Sequence, residues 1–425
     1  MSQFIVTGGN RLKGRIVPSG NKNEALPVLA ATLLTDEPVT VHNLPEIGDI
    51  RSMKTILAEL GVSIDSLNHN SARFDASQLK STAPNRQLSE SIRGSFLLIT
   101  PLLHRFKEAE LFIPGGDSIG RRRLDTHIDA LIEMGAAIRR EKDSFRIFAK
   151  KLKGADILLD EASVMATENV IMAAVLAEGV TTIYNAACEP HVQGLCYLLT
   201  SMGADIKGIG SNRLVIEGVE NLSGCDHTIK SDHTEVGSLI GLAAVTNSEL
   251  IIENAGVENL GIILHFFNRL GVRTEIKGSD LLVPANQELN IQNDIDSSIP
   301  KIDDAPWPGF PADLTSIMTV VATQSKGTIL IFEKMFESRL FWVDGLIRMG
   351  AKIILCDPHR AVVVGPSRLQ GTLLTSPDIR AGMALLIAAL CAEGTSEIQN
   401  IHQIDRGYAR IDERLNALGA DIQRV

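Results

Sequence analysis

Ile132-Glu133-Met134-Gly135-Ala136-Ala137-Ile138 reads as the end of a helix, a glycine stop and the start of a strand. The same phrase occurs six times. The other copies are Ala58-Glu59-Leu60-Gly61-Val62-Ser63-Ile64, Thr200-Ser201-Met202-Gly203-Ala204-Asp205-Ile206, Asn268-Arg269-Leu270-Gly271-Val272-Arg273-Thr274, Ile347-Arg348-Met349-Gly350-Ala351-Lys352-Ile353 and Ala417-Leu418-Gly419-Ala420-Asp421-Ile422. Successive glycines stand 74, 68, 68, 79 and 69 residues apart, by subtraction of their positions. A fixed period of this length marks a repeated supersecondary unit. The glycine suits a helix C-cap, where a left-handed backbone is cheap only without a Cβ.

A second element keeps step with the first. Apolar helices lead into short alternating strands at Leu29–Leu34 with Val39–His42, Ile171–Ala177 with Thr181–Tyr184, Leu239–Ala244 with Glu249–Ile252, and Ala384–Leu390 with Thr395–Ile398. A helix apolar on every side belongs in an interior. Each unit of about 70 residues therefore reads as two helices and three or four strands. Six such units predict an α/β (α+β) protein of two similar domains, three units in each; apolar helices inside and sheets outside suit the pattern, a placement that composition alone does not fix. The Pro-rich stretch from Ser297 to Pro311 is the one long irregular segment.

With 425 residues, the chain is long enough for two domains with separate cores. The net charge of −10 argues against nucleic acid as a partner and requires any anionic ligand to find a local basic pocket. Cys188, Cys196, Cys225, Cys356 and Cys391 are odd in number and scattered, which suits reduced thiols and no zinc site. The first residues lack a signal-peptide pattern, and the longest apolar run, Met383–Ala392, is too short to span a bilayer. A cytoplasmic protein without membrane or nucleic-acid partners is expected. Walker A, Rossmann, HExxH and nucleophile-elbow patterns are all missing, so ATP hydrolysis, hydride transfer and zinc hydrolysis lose support.

Several stretches carry chemistry. Pro114-Gly115-Gly116-Asp117-Ser118-Ile119-Gly120-Arg121-Arg122-Arg123-Leu124-Asp125-Thr126-His127 follows a strand-like run and precedes a helix from about Thr126 to Met134. Its glycines permit a hinge, and its three arginines beside one carboxylate suit a doubly anionic small substrate and proton transfer to it. Lys22-Asn23 after Gly20 opens a helix and can offer an ammonium, an amide and free N–H groups to an anion. Arg93 stands at another helix start. Asp313 follows three prolines and two aromatic residues and begins a further helix, where it reads either as a positioned base or as an N-terminal acid. Met335-Phe336-Glu337-Ser338-Arg339, Asp378-Ile379-Arg380 and Asp405-Arg406 stand at junctions of the same kind, and each alone could be a structural ion pair or cap.

Together these clusters resemble the UDP-N-acetylglucosamine enolpyruvyl transferases (1-carboxyvinyltransferases) over the whole chain, from Gly8-Gly9 to Ile404-Asp405-Arg406-Gly407-Tyr408. The sister shikimate-pathway enolpyruvyl transferases share fold and reaction, but the Lys22-Asn23 pair and the loop around Asp117 match the UDP-sugar enzymes. The resemblance implies two domains of three βαβαββ-like units (an inside-out α/β barrel), 22–231 with a mobile loop at 112–125 and 1–21 plus 232–425, and an active site in the cleft between them. It implies that the enolpyruvyl group of phosphoenolpyruvate passes to the 3-hydroxyl of UDP-N-acetylglucosamine with release of phosphate. That reaction commits material to peptidoglycan and so links the protein to cell-wall biogenesis, cell shape, the cell cycle and division. No metal or cofactor is implied, phosphoenolpyruvate being a co-substrate, and a monomer is expected.

By the same resemblance, Lys22, Arg122 and Arg406 bind phosphoenolpyruvate with Arg93 nearby, and Asp378 and Arg380 complete that side. Asn23 and Asp313 face the sugar, and Asp313 takes the 3-hydroxyl proton. Arg122, Leu124, Asp125, His127, Ser163 and Val164 line the UDP site, with Met335 and Arg339 closing on the sugar. Asp117 stands where the family usually has the cysteine alkylated by fosfomycin. A carboxylate alkylates far less readily than a thiolate, so resistance to fosfomycin is expected. Asp117 would have to regain a proton at a site whose arginines lower its affinity for one. Arg123, Met165 and His233 replace a Pro, a Gly and an Arg common in the family, which bears on acceptor contacts. A different nucleotide or nucleotide-sugar acceptor, and a non-catalytic UDP-sugar-binding regulator, are the competing readings. A substrate panel and phosphate release discriminate them.

Overall fold

A computed structural model of the chain describes residues 2–116 and 119–425. All six repeat glycines have positive φ, at 108°, 92°, 106°, 85°, 100° and 104° from Gly61 to Gly419. At each one the glycine N–H donates three residues back and the next N–H donates five residues back, as in Gly135 to the Ile132 carbonyl and Ala136 to the Leu131 carbonyl. This double bond closes the last helical turn and turns the chain into the following strand.

The described residues form two compact units, one of 20–116 and 122–230 and the other of 2–19, 119–121 and 231–425. Each holds three open sheets, and none of the six closes into a barrel. In the second unit the helices His233–Val245, Thr315–Gln324 and Ile379–Cys391 pack against one another. Their side chains are buried along nearly their whole length. Each also rests on a sheet: the first on Glu249–Ile252, the second on Gly327–Phe332 and Arg360–Gly365, the third on Gln3–Thr7 and Thr395–Gln399. In the first unit the helices Ile99–Phe106 and Val164–Ala174 pack against each other and on the strands Glu108–Phe112 and Val180–Tyr184, while Lys22–Ala31 packs on the turn Arg93–Leu98 and the helix Pro190–Ser201. Two of these inner helices, Ile99–Phe106 and Thr315–Gln324, lack a long apolar run.

The sheet of Lys301–Asp303, Gly327–Phe332, Lys352–Asp357 and Arg360–Gly365 displays the unit in full. The first strand lies parallel to the second across a crossover helix, and the last two form a hairpin that pairs antiparallel to the second. That is the βαβαββ order within one contiguous stretch. Three other sheets are completed from a distance. Lys13–Ile16 pairs with Glu249–Ile252, Asp226–Thr228 with Val39–His42, and Gln3–Thr7 with both Thr395–Gln399 and Asp421–Arg424. The sheet of Glu108–Phe112, Ala137–Arg140 and Ser144–Phe148 has three strands only. Among the described residues no helix is long and apolar enough to cross a membrane.

Candidate active site

The inner helices begin where the sequence concentrates its candidate residues. In the first unit Asn21 caps the helix Lys22–Ala31, its Oδ1 accepting the N–H groups of Asn23 at 2.8 Å and Glu24 at 3.3 Å. Those two donors are therefore occupied, contrary to the expectation that the turn presents free N–H groups. Lys22 is buried, and its Nζ lies 2.7 Å from Asp49 Oδ2 in an equally buried ion pair. Asp49 is in the first turn of the helix Gly48–Leu60, where its local sequence marks it only as an ordinary N-terminal acid.

Arg93 opens the turn before the helix Ile99–Phe106, and its Nη2 donates to the backbone carbonyls of Arg122 and Arg123, both at 3.2 Å. Burial and the neighbouring Arg122 pull its guanidinium down to about 10, against a smaller pull upward from Glu161. Gly116, at φ 109°, lies so close that a Cβ there would sit 2.9 Å from Arg122 Nη2 and 3.2 Å from Arg93 Cβ. The structure thus gathers Arg93, Arg122 and Arg123 around one turn. Arg123 reaches outward to Asp160 at 2.6 Å and Asp125 at 3.4 Å, and Thr126 Oγ1 donates to the other Asp160 oxygen.

Leu124 caps the helix Asp125–Glu133, one residue ahead of the expected start. His127 is only 1% exposed, so it supports the site from within. Its Nδ1 lies 2.8 Å from Asn169 Nδ2, its ring stands edge-on to Phe96, and burial followed by the charge of Arg93 lowers it to about 3. A neutral ring that accepts at Nδ1 carries its proton on Nε2. Ser163 caps the helix that Val164 begins, Oγ accepting from Ala166 N at 3.4 Å. Asp117 and Ser118 lie outside the described residues. Ile119 and Arg121 group with the second unit, the Ile119 carbonyl accepting from Ser338 N and Arg121 N donating to Glu337.

In the second unit Asp313 lies between two arginines. Arg339 Nη2 is 2.9 Å from Oδ1, and Arg380 Nε is 2.9 Å from Oδ2. Both arginine side chains are 6% exposed and the Asp313 side chain 27%. Burial would raise Asp313, but Arg380 and then Arg339 outweigh it and hold the carboxyl far below the usual range. Arg380 also donates to Tyr408 Oη at 3.3 Å, and Tyr408 Oη lies 2.9 Å from Ser238 Oγ. Tyr408 and Ser238 are fully buried and are not among the sequence-based candidates, although Tyr408 ends a motif quoted for the resemblance. Asp378 caps its helix, Oδ1 accepting from Arg380 N at 2.8 Å and Ala381 N at 2.9 Å. Arg406 Nη1 donates to Gln403 at 2.8 Å, and Met335, 40% exposed, anchors its N–H on Asp304. His233 is buried 5.9 Å from the Trp307 ring.

The sequence profile of the EPSP synthase (3-phosphoshikimate 1-carboxyvinyltransferase) family matches residues 6–415. A UDP-N-acetylglucosamine 1-carboxyvinyltransferase from Bradyrhizobium diazoefficiens is 55% identical over 100% of this chain and 98% of its own length. Enzymes of the same name from Bacteroides fragilis and Treponema denticola are 54% and 52% identical over 100% of this chain and 100% and 99% of theirs. Among solved structures, the enolpyruvyl transferase NikO from Streptomyces tendae superposes with a TM-score of 0.89 at 25% identity, covering 100% of this chain and 99% of that one. EPSP synthase from Acinetobacter baumannii gives 0.76 at 20% identity over the full length of both, a likeness of fold.

Proposed function

The chain belongs to the EPSP synthase family of carboxyvinyltransferases, and from that premise we propose that it transfers the enolpyruvyl group of phosphoenolpyruvate to the 3-hydroxyl of UDP-N-acetylglucosamine, the acceptor for which its full-length relatives are named. The observation that carries the reading to the side chains is the Asp313 carboxylate braced by Arg339 and Arg380, in a chain that also gathers Arg93, Arg122 and Arg123 around one turn.

Phosphoenolpyruvate carries about three negative charges, so several cations must hold it. Lys22, Arg93, Arg122 and Arg406 serve that purpose, with Asp378 and Arg380 completing the site. Asp117 delivers a proton to the methylene carbon, and the neighbouring carbon, left electron-poor, is attacked by the 3-hydroxyl. Asp313 takes the hydroxyl proton. From the tetrahedral intermediate the C–O bond to phosphate breaks and the methyl group returns a proton, which restores the double bond. A carboxylate bound by two guanidinium groups is a weak base, so anionic substrate that draws Arg380 away strengthens it while Arg339 keeps it in place. Asn23, Leu124, Asp125, His127, Ser163, Val164 and Met335 position the UDP-sugar. The protein acts in the cytoplasm, without a metal or other cofactor, in peptidoglycan synthesis.

The test is phosphate release from phosphoenolpyruvate with UDP-N-acetylglucosamine, with and without fosfomycin. Turnover insensitive to fosfomycin, lost in Asp117→Asn and made drug-sensitive in Asp117→Cys, is the expected outcome. A protein that binds the UDP-sugar and releases no phosphate would overturn the catalytic reading.

A further inference from the structure

Glu333 follows the strand Gly327–Phe332, and nothing in the proposed reaction uses it. Its side chain is fully buried. It faces Asp304 and Thr315 and lies under the charge of Arg339, yet neither carboxyl oxygen makes a well-aligned hydrogen bond. Arg339 Nε and Thr315 Oγ1 likewise have no well-aligned partner. Asp304 is fully buried too, but both of its oxygens are occupied: Oδ1 accepts from Lys334 N and Oδ2 from Met335 N at 3.2 Å.

Two adjoining buried carboxyl groups do not both hold a charge. A proton on Asp304 would confront the N–H groups that bind it, whereas a proton on Glu333 displaces no bond. The remaining charges nearby are settled elsewhere. Asp303 is held by Lys301 at 3.1 Å and Lys334 at 2.9 Å, and His359 addresses only the Glu333 backbone carbonyl, at 2.7 Å. Arg339 gives Nη2 to Asp313 and Nη1 to the Ala312 carbonyl, so Asp313 and Glu333 compete for one guanidinium.

We propose that Glu333 is a positioning residue: held as a neutral acid against Asp304, it leaves Arg339 to Asp313, and its ionisation draws Arg339 away from the base. Burial, opposed by Arg339 and assisted by Asp304, pushes the Glu333 carboxyl up to about 9, in accord with this geometry. The inference rests on Asp313 acting as the base, but one arm of its test does not.

The experiment compares wild type with Glu333→Gln, the nearest mimic of the neutral acid, in the pH dependence of kcat and of the unfolding temperature. At about pH 7 the Gln variant should keep kcat within about threefold of wild type, and the wild-type decline near pH 9 should be absent from it. A raised acid stabilises the fold fully below its ordinary value of about 4.3 and loses that contribution as pH rises through its folded value. Relative to Glu333→Gln, the wild type should therefore lose stability steadily from about pH 4.3 to about 9 and keep a constant difference above that. This arm reads Glu333 even if the proposed substrates give no turnover. A kcat at least about tenfold lower in Glu333→Gln at neutral pH, parallel stability curves, or a Gln variant that does not fold would each overturn the proposal.

Discussion

The two units bring the same kinds of side chain to opposite electrostatic ends. In the first, Arg93 spends its hydrogen bonds on neutral backbone carbonyls beside another arginine, and its guanidinium is pulled down to about 10. A cation bonded to neutral groups keeps an appetite for an anion. In the second, Asp313 is an anion with two guanidinium groups already on it, and its carboxyl is held far down. The first arrangement suits recruiting a charged substrate. The second suits an acid–base group kept in one protonation state until a substrate disturbs it. Displaced pKa values in both places carry opposite meanings, one an unanswered charge and the other an answered one.

Removing the answered charge should do the most damage. Asp313→Asn should lower kcat roughly 10³-fold while UDP-sugar binding persists, the size expected for losing a general base. A loss under about tenfold would take Asp313 out of the chemistry. Its pH signature has a definite sign. A depressed carboxyl stabilises the fold fully above its ordinary value of about 3.9 and loses that contribution only as pH falls towards its folded value. The variant should therefore lack part of the wild-type stability loss below about pH 4, read from unfolding temperatures against pH.

The next largest effect belongs to the buried pair of Lys22 and Asp49, with side chains 11% and 6% exposed. Lys22→Ala removes one half of a buried ion pair, at a cost of about 3 kcal/mol or more. Lys22→Ala with Asp49→Ala should recover most of that stability by denaturant titration, and no phosphate release. If the double variant regains turnover, Lys22 serves the fold and not the substrate. If it regains no stability, the pair is not what makes the single variant weak.

The repeat was legible because glycine is a positional signal: six stops at regular spacing translate directly into six positive-φ helix ends. What escaped was which strand completes which sheet. Lys13–Ile16, Asp226–Thr228 and Gln3–Thr7 each pair far along the chain, and strand pairing is set by tertiary contact rather than by a local pattern. The inner helices Ile99–Phe106 and Thr315–Gln324 escaped as apolar runs because threonine, proline and serine interrupt them, the buried hydroxyl groups being made tolerable by hydrogen bonds to carbonyls, such as Thr100 to Asn169 and Thr319 to Thr315. The candidate residues followed from the resemblance, whereas their partners did not. Asp49, Asn169, Ser238 and Glu333 meet Lys22, His127, Tyr408 and Arg339 only through folding, and nothing in their own neighbourhoods announces it.

Arg123 gives the smallest effect and the sharpest contrast with Lys22. Both are cations beside carboxylates in the first unit, but the Arg123 side chain is 37% exposed, and its partners Asp160 and Asp125 are 49% and 55% exposed. Water already answers those charges, so the pair adds little. Arg123→Ala should change stability by less than about 1 kcal/mol, and added salt should shrink even that difference. Because Arg123 also lends its carbonyl to Arg93, a bond that alanine preserves, the Michaelis constant for phosphoenolpyruvate should stay within about twofold. A larger rise, with stability unchanged, would mean that the Arg123 side chain itself reaches the substrate, and the first unit would then have one more recruiting cation than its hydrogen bonds reveal.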